Sequence, residues 1–249
     1  MTRAFPTRQD EAWRYSDLAA VARVWPLPAP ERIVVPAGES VARVIVQDAA
    51  PDAVAIHEIE VELGQGARAD FHVLNVGGAL GRVSIDVTLA EGAHFELGGA
   101  MLGGGEQTLE IVTTMRHVAP GASSNQVVRS VLGGRATGSY LGKVAVARHA
   151  QKTDAAQSVK AMLLARTATA NAKPELEIYA DDVKCAHGAA IGELDTNALF
   201  YLESRGIAPA DAKGMLLRAF ISGVFDGIAD EAVREQVDAA AMAALERML

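Results

Sequence analysis

The stretch Val61-Glu-Leu-Gly-Gln-Gly-Ala67 decides the fold, because two similar stretches follow it along the chain. Val87-Thr-Leu-Ala-Glu-Gly-Ala93 and Met115-Arg-His-Val-Ala-Pro-Gly-Ala122 repeat its alternating strand and its Gly-Ala turn. Each repeat then closes on a Gly-Gly pair, and the turn glycines recur after about 26 and about 29 residues, a spacing typical of solenoids. Within each strand apolar residues alternate with polar ones, which indicates half-buried strands.

Short strands at even spacing with glycine corners fit a β-helix, a flattened barrel or an antiparallel sandwich. We favour a β-helix because one coil cannot bury its own apolar face, whereas stacked coils bury each other's. The predicted fold class is therefore mainly β, with a β-helix core, a short N-terminal helical segment and a C-terminal α-helical lobe. The predicted divisions are residues 1–50, 51–193 and 194–249. Periodicity alone leaves the sandwich open.

Helix signals lie at both ends of the chain. Residues 10–22 are predicted to form one short helix, followed by an extended linker over residues 25–30. Asp195 is the predicted cap of a helix over residues 198–205, and Asp230 of the last helix. Between them Pro209 begins a helix to about residue 225. Its predicted apolar stripe comprises Met215, Leu216, Ala219, Phe220 and Val224. Further strands are predicted over residues 142–147, 158–168 and 176–183.

The composition limits the classes of function. The chain has 249 residues, a net charge of −8 and one cysteine, which excludes an internal disulfide. There is no basic tract to bind nucleic acid. No segment reaches the roughly 18 consecutive apolar residues of a membrane span, and the N-terminus is too polar for a signal peptide. We therefore expect a cytoplasmic protein that binds neither nucleic acid nor membrane.

The single cysteine lies two residues from a histidine. On a strand, Cys185 and His187 would point to the same face. Residues two apart on a strand stand about 6–7 Å apart, which is long for a nucleophile and its base. Two ligands are also too few to close a metal site. The pair is therefore either half of a site shared between two chains, or a small thiol and a hydrogen-bonded imidazole with a structural role only.

Three other features give weaker indications. Gly138-Ser-Tyr-Leu-Gly-Lys143 differs from a phosphate loop in its glycine spacing, and its glycines are interpreted as turn residues. His72, His94 and His117 occupy similar points of the repeat and could stack, although isolated surface or hydrogen-bonded histidines are the preferred interpretation. The apolar helix beginning at Pro209 is either a core face or a groove for a partner.

Several stretches together resemble the SufB/SufD family of the SUF iron–sulfur cluster assembly system. The most specific are Pro174-Glu-Leu-Glu-Ile178, Asp181-Asp-Val-Lys-Cys-Ala-His-Gly-Ala189 and Phe200-Tyr-Leu-Glu-Ser-Arg-Gly-Ile207. The match is strong over about residues 140–228, which includes residues 150–157, and local over residues 5–16. The Cys-Ala-His-Gly sequence and the lack of further cysteines resemble the SufD branch more than the SufB branch. Family members commonly carry a longer N-terminal helical region than the 50 residues assigned here.

The resemblance implies a flattened right-handed β-helix that acts as a non-enzymatic scaffold. It implies pairing with a SufB-like subunit through the β-helix ends and docking of a SufC-like ATPase that carries the ATP. In isolation the chain is either a monomer or a homodimer. His187 would face the SufB-like interface as a metal ligand shared with that partner, beside Cys185. No cofactor would bind stably to this chain alone, and a transient Fe–S cluster, or iron and persulfide, would form in the complex. The implied partner-binding positions are Phe200, Arg205, Met215, Leu216 and Phe220.

Two other classes of function are compatible with a β-helix. An enzyme acting on carbohydrate would need paired carboxylates or an exposed aromatic strip, whereas aromatic residues make up only 5% of this chain. A purely structural solenoid would need no chemistry. Replacement of His187 by alanine separates the scaffold from the structural solenoid, because only the scaffold would lose cluster assembly.

Overall fold

The computed structural model describes residues 4–248, and its centre is a two-sheet solenoid of twelve strands. The strands are β1 (Glu31–Val35), β2 (Ser40–Gln47), β3 (Val54–Leu63), β4 (Arg68–Asn75), β5 (Leu80–Leu89), β6 (His94–Gly103), β7 (Thr108–His117), β8 (Ser123–Leu132), β9 (Thr137–Val146), β10 (Asp154–Leu163), β11 (Thr169–Ile178) and β12 (Lys184–Glu193). Odd-numbered strands form sheet A in the order β1-β3-β5-β7-β9-β11, and even-numbered strands form sheet B from β2 to β12. The chain therefore crosses from one sheet to the other at every turn and climbs one coil with every two strands.

The predicted fold class is confirmed. Among residues 4–248 every strand pair is parallel, which excludes the antiparallel sandwich and leaves a flattened β-helix of six coils. Side chains that point between the sheets form a continuous apolar core, including Phe71, Phe95 and Ile111. Gly66 and Gly92 turn the corners with positive φ angles of 64° and 65°, which glycine adopts without a steric penalty.

The stack begins earlier than the predicted boundary at residue 51. Strands β1 and β2 lie within the segment assigned to an N-terminal helix and linker, and they pair in parallel with β3 and β4. The helical part of this segment is also broken, into a 3₁₀ turn at Glu11–Trp13 and helix α1 at Leu18–Ala22. The expectation of one helix over residues 10–22 is therefore wrong, and only 30 residues precede the first strand.

The glycines of residues 138–143 are not turn residues. Gly142 lies inside β9 and faces the core, where a methyl group would overlap the Tyr140 hydroxyl. The strand predicted over residues 176–183 is correct only for residues 176–178, because β11 ends at Ile178 and a turn precedes β12. The error at Gly142 arises because glycine marks close packing as well as turns.

Three helices follow the last strand and form the predicted lobe: α2 (Thr196–Ser204), α3 (Pro209–Ile221) and α4 (Glu231–Glu246). Asp195 and Asp230 cap α2 and α4 as predicted, each accepting from two backbone N–H groups. Helix α3 ends four residues before the predicted residue 225, and it buries Leu217 and Ile221. Of the predicted stripe, Met215 and Ala219 are exposed, Phe220 is half-buried, and Val224 is buried just beyond the end of the helix. These side chains pack with α4 against the outer face of sheet B.

Candidate functional site

The C-terminal end of the solenoid is an uncovered coil. Strand β12 continues the register of β10, so that Cys185 and His187 extend the inward rows of Ala155 and Gln157. Those two residues of β10 are each 2% exposed, because β12 covers them. Nothing in the described chain covers β12 in turn, and Ile191 on the same inward face is 50% exposed. The Cys185–His187 pair therefore lies at an open end of the core.

The backbone of β12 is also open along its outer edge. The Lys184 N–H donates to the Thr153 carbonyl at 2.8 Å, so the even-numbered residues of β12 bond to β10. By alternation, the N–H and C=O groups of Cys185 and His187 point away from the sheet. Sheet A is less open, because Pro174 in the end strand β11 directs its missing N–H to that edge. A strand can therefore be added more readily beside β12.

The Cys185 thiol is half-buried against the core. Burial raises its pKa above the ordinary value, and Asp154 adds to that rise, while a hydrogen bond from the Ala155 N–H opposes it. The side chain therefore carries less thiolate at neutral pH than a free cysteine does, and it is a weak nucleophile until a cation or a partner approaches.

The His187 side chain is exposed at the same end, and no residue in the described range hydrogen-bonds to its ring. Within residues 4–248 no group of three His, Cys, Asp or Glu side chains is arranged to hold a metal ion. The structure thus brings the predicted pair onto one face of one strand and adds no third ligand. A metal centre here needs ligands from a second chain.

A buried polar row lies directly beneath this pair and was not found by sequence reasoning. Thr113 and Tyr140 both donate hydrogen bonds to Gln126 Oε1, at 2.7 and 3.0 Å, and Gln157 Nε2 donates to the Tyr140 hydroxyl at 3.2 Å. Gln126 and Gln157 are neighbours in register, and His187 is the next residue of that row. The only sequence signal is a glutamine at an inward position in two successive coils.

The predicted partner-binding residues lie on helices α2 and α3, which pack on each other. Phe200 is 72% exposed and Met215 is 51% exposed, while Leu216 and Phe220 are half-buried. The Arg205 guanidinium lies 5.2 Å from the centre of the Tyr201 ring and bonds to its hydroxyl at 3.2 Å. We call Phe200, Tyr201, Arg205 and Met215 the α2–α3 patch.

The three histidines of the repeat do not stack. His72 lies under Phe225 on the outer side of sheet B, and His94 bonds to Ser123 at 2.7 Å in another row of that sheet. His117 is sealed in the core, where it bonds to Ser124 at 3.0 Å and burial lowers its pKa to about 4. The preferred interpretation as separate, packed or hydrogen-bonded histidines fits these positions.

No helix formed by residues 4–248 combines the length and the apolar character needed to cross a membrane.

Comparison with known proteins gives a family. Residues 31–220 match the model described as "SUF system FeS cluster assembly, SufBD core domain". The chain is 32% identical over 176 residues to the iron–sulfur cluster assembly protein SufD of Escherichia coli K12, covering 70% of this chain and 42% of that protein.

Two further relatives give the same result. A SufBD family protein of Synechocystis is 33% identical over 175 residues, which is 69% of this chain and 39% of that protein. A SufBD family protein of Mycobacterium leprae is 31% identical over 216 residues, which is 83% of this chain and 55% of that protein. The chain thus spans between about two fifths and just over half of the length of these three relatives.

Proposed function

Because the chain belongs to the SufBD core family of the SUF iron–sulfur cluster assembly system, we propose that it is a non-catalytic scaffold subunit of that system. It pairs with a SufB-like subunit through the C-terminal end of its β-helix and docks a SufC-like ATPase on its terminal helices. The observation that carries this proposal is the uncovered last coil, with its thiol and imidazole at the open end.

Pairing through β12 follows from its geometry. The strand is ten residues long, and its residues 185–192 carry no charged side chain that would repel another strand. Its outward N–H and C=O groups need partners, and a strand of a second β-helix supplies them by β-augmentation. A SufB-like end coil would in addition cover Ile191 and His187, as β12 covers β10.

Such an interface completes a ligand set for iron. The thiolate of Cys185 is a soft ligand suited to iron–sulfur species, and the His187 imidazole suits iron. This chain supplies two ligands and the partner supplies the others, so the nascent cluster is cargo held between two subunits. A cation at this position would also favour the thiolate form of Cys185, offsetting the effect of burial on its pKa.

The ATPase contact is assigned to the α2–α3 patch. Aromatic, methionine and arginine side chains are enriched at protein interfaces, and Phe200 and Met215 are exposed here with no function inside the fold. Helix α2 begins three residues after β12 ends, so a protein bound to the patch is connected to the open end through a short segment of chain. Nucleotide would be bound by the ATPase.

Co-expression with SufB-like and SufC-like proteins, followed by native mass spectrometry, tests the assembly. We expect one complex that contains all three chains. Phe200→Ala should weaken retention of the ATPase and keep the SufB-like chain. A chain recovered alone, or only as a homodimer, would contradict the proposal.

The role of the site is tested separately in cells that depend on this system for cluster assembly. We expect His187→Ala to assemble into the complex but to lose cluster formation. His149→Ala, on an exposed turn, is the matched control and should keep it. If both variants form clusters equally well, the chain is a structural solenoid at this end.

A further inference from the structure

The polar row in the core ends directly beneath His187. Its members come from four different strands, and the two glutamines are sealed, with Gln126 0% and Gln157 2% exposed. Most of the interior is apolar, so this row and the neighbouring His117–Ser124 pair are exceptions to the composition of the core. Such an exception calls for a physical reason.

The hydrogen bonds of the row set the orientation of the last amide. Because Thr113 and Tyr140 both donate to Gln126 Oε1, the Tyr140 oxygen is free to accept, and it accepts from Gln157 Nε2. The other atom of that amide, Gln157 Oε1, is buried and has no hydrogen-bond partner among the residues that the structure describes. An unsatisfied buried acceptor destabilises a folded chain, so this oxygen is expected to serve a neighbour.

We propose that Gln157 is the positioning residue of His187, and that its Oε1 accepts a hydrogen bond from the imidazole N–H when the exposed ring, which makes no hydrogen bond to residues 4–248 in the structure, turns inward. His187 is the in-register neighbour of Gln157 on the open side, and parallel strands are about 4.8 Å apart, which is within reach of the amide. The bond fixes one tautomer and leaves the lone pair of the other ring nitrogen directed out of the solenoid. Histidines that ligate metals are commonly held in this way by an acceptor behind the ring.

The space for this arrangement is provided by Gly142. A methyl group there would overlap the Tyr140 hydroxyl and the Gln157 amide nitrogen. The missing side chain thus lets Tyr140 cross the core from sheet A to the glutamines of sheet B. The orientation of His187 therefore depends on residues that lie up to two coils below it.

The functional consequence of this inference rests on the proposed role of His187 in cluster assembly, whereas its geometry does not. The test is therefore spectroscopic. The intact chain is labelled with ¹⁵N-histidine, and the His187 ring nitrogens, assigned with His187→Gln, are observed at a pH that leaves imidazole neutral. Gln157→Leu removes the acceptor at similar volume. Ser124→Ala is the matched control, because it removes a different buried hydrogen bond, that to His117.

We expect one tautomer of His187 to predominate in the wild type and its ratio to change about fivefold in Gln157→Leu, the factor that the loss of one neutral hydrogen bond gives. Ser124→Ala should leave the ratio unchanged. An unchanged ratio in Gln157→Leu, or an equal change in both variants, would overturn the inference. If Gln157→Leu does not fold, Gln157→Met gives the same comparison.

The two proposals fail in different ways. Cluster assembly that is reduced by Gln157→Leu together with a shifted tautomer supports both. A shifted tautomer with normal cluster assembly in both Gln157→Leu and His187→Ala supports the positioning of His187 and refutes its role in cluster assembly.

Discussion

The two ends of the solenoid are built from the same kind of coil but are finished differently. At the N-terminal end, Glu31 of sheet A and Arg43 of sheet B occupy inward rows and form an ion pair at 2.9 Å across the gap between the sheets. At the C-terminal end, the corresponding inward rows end at Pro174 of sheet A and His187 of sheet B, which form no charged pair. The first strand is five residues long and the last is ten.

This difference favours the C-terminal end as the surface for the proposed association. Short edge strands and charged side chains discourage the addition of another strand, and β1 combines both. Strand β12 is ten residues long and carries charged side chains only at its two ends, Lys184 and Glu193, and its free backbone groups alternate with those that hold it to β10. Apolar side chains and backbone groups left uncovered at this end destabilise a lone chain, and they stabilise a complex when a partner covers them.

Proline substitution at adjacent positions of β12 should give the largest effect. Ala190→Pro removes an N–H that faces β10, and we expect it to lower the free energy of unfolding by about 3 kcal/mol or more. Ala189→Pro removes an N–H that faces the open edge, so it should cost much less in stability but abolish pairing with the SufB-like chain. Urea unfolding and native mass spectrometry measure the two effects. Equal effects of the two variants would show that β12 is not an interaction edge.

A methyl group added to the core should lower the free energy of unfolding by less than a proline that faces β10. Gly142→Ala displaces the Tyr140 hydroxyl, and we expect a loss of about 1–3 kcal/mol in the free energy of unfolding. Gly188→Ala places the same methyl group on β12, where no atom lies within 4 Å, and should be close to neutral. Thermal unfolding of both variants compares a sealed coil with an open one. A neutral Gly142→Ala would mean that the polar row can rearrange.

Lowering the pH should reduce the free energy of unfolding, because His117 is buried in its neutral form. Burial lowers the pKa of His117 to about 4, below the ordinary 6.5, so at intermediate pH the unfolded chain binds a proton that the folded chain does not. The contribution of His117 to the free energy of unfolding is therefore fully present above its pKa in the unfolded chain. It is lost as the pH falls towards its pKa in the folded chain. We expect a loss of about 2 kcal/mol between about pH 7 and about pH 5.

His117→Gln keeps a polar side chain at this position and should remove that part of the pH dependence in urea unfolding. His149→Gln, on an exposed turn, is the control and should leave the pH profile unchanged. Identical pH profiles for the wild type and His117→Gln would show that His117 is protonated without penalty in the folded chain.

The sequence predicted the repeat correctly because each coil carries its own signal. The Gly-Ala turns at Gly66 and Gly92 and the alternating strands determine a stack of parallel coils. The first coil was missed because its turn lacks the Gly-Ala pair. A signal was nevertheless present, since Gly38 precedes Gly66 by 28 residues and has the same positive φ, at 73°.

The candidate site was predicted only in part. Cys185 and His187 lie two apart on one strand, so their common face follows from local sequence. The row beneath them does not, because Thr113, Gln126 and Gln157 are brought together by register. Register depends on the length of every turn between them, and these lengths vary from coil to coil. The buried face of α3 was missed for a similar reason. Leu217 and Ile221 are buried because α3 packs on the outer face of sheet B, which the sequence of the helix does not indicate.

The helical lobe changes how the solenoid can come apart. A stack of repeats that touch only their neighbours unravels one unit at a time from its ends. Here, however, Leu217 and Val224 of the lobe pack with Leu74, Ala100 and Val131, which belong to β4, β6 and β8. The lobe ties three successive coils into one cooperative unit, so local opening should be confined to the outermost strands. Amide exchange is then slowest in the middle coils and fastest along β12, the strand that a partner is proposed to protect.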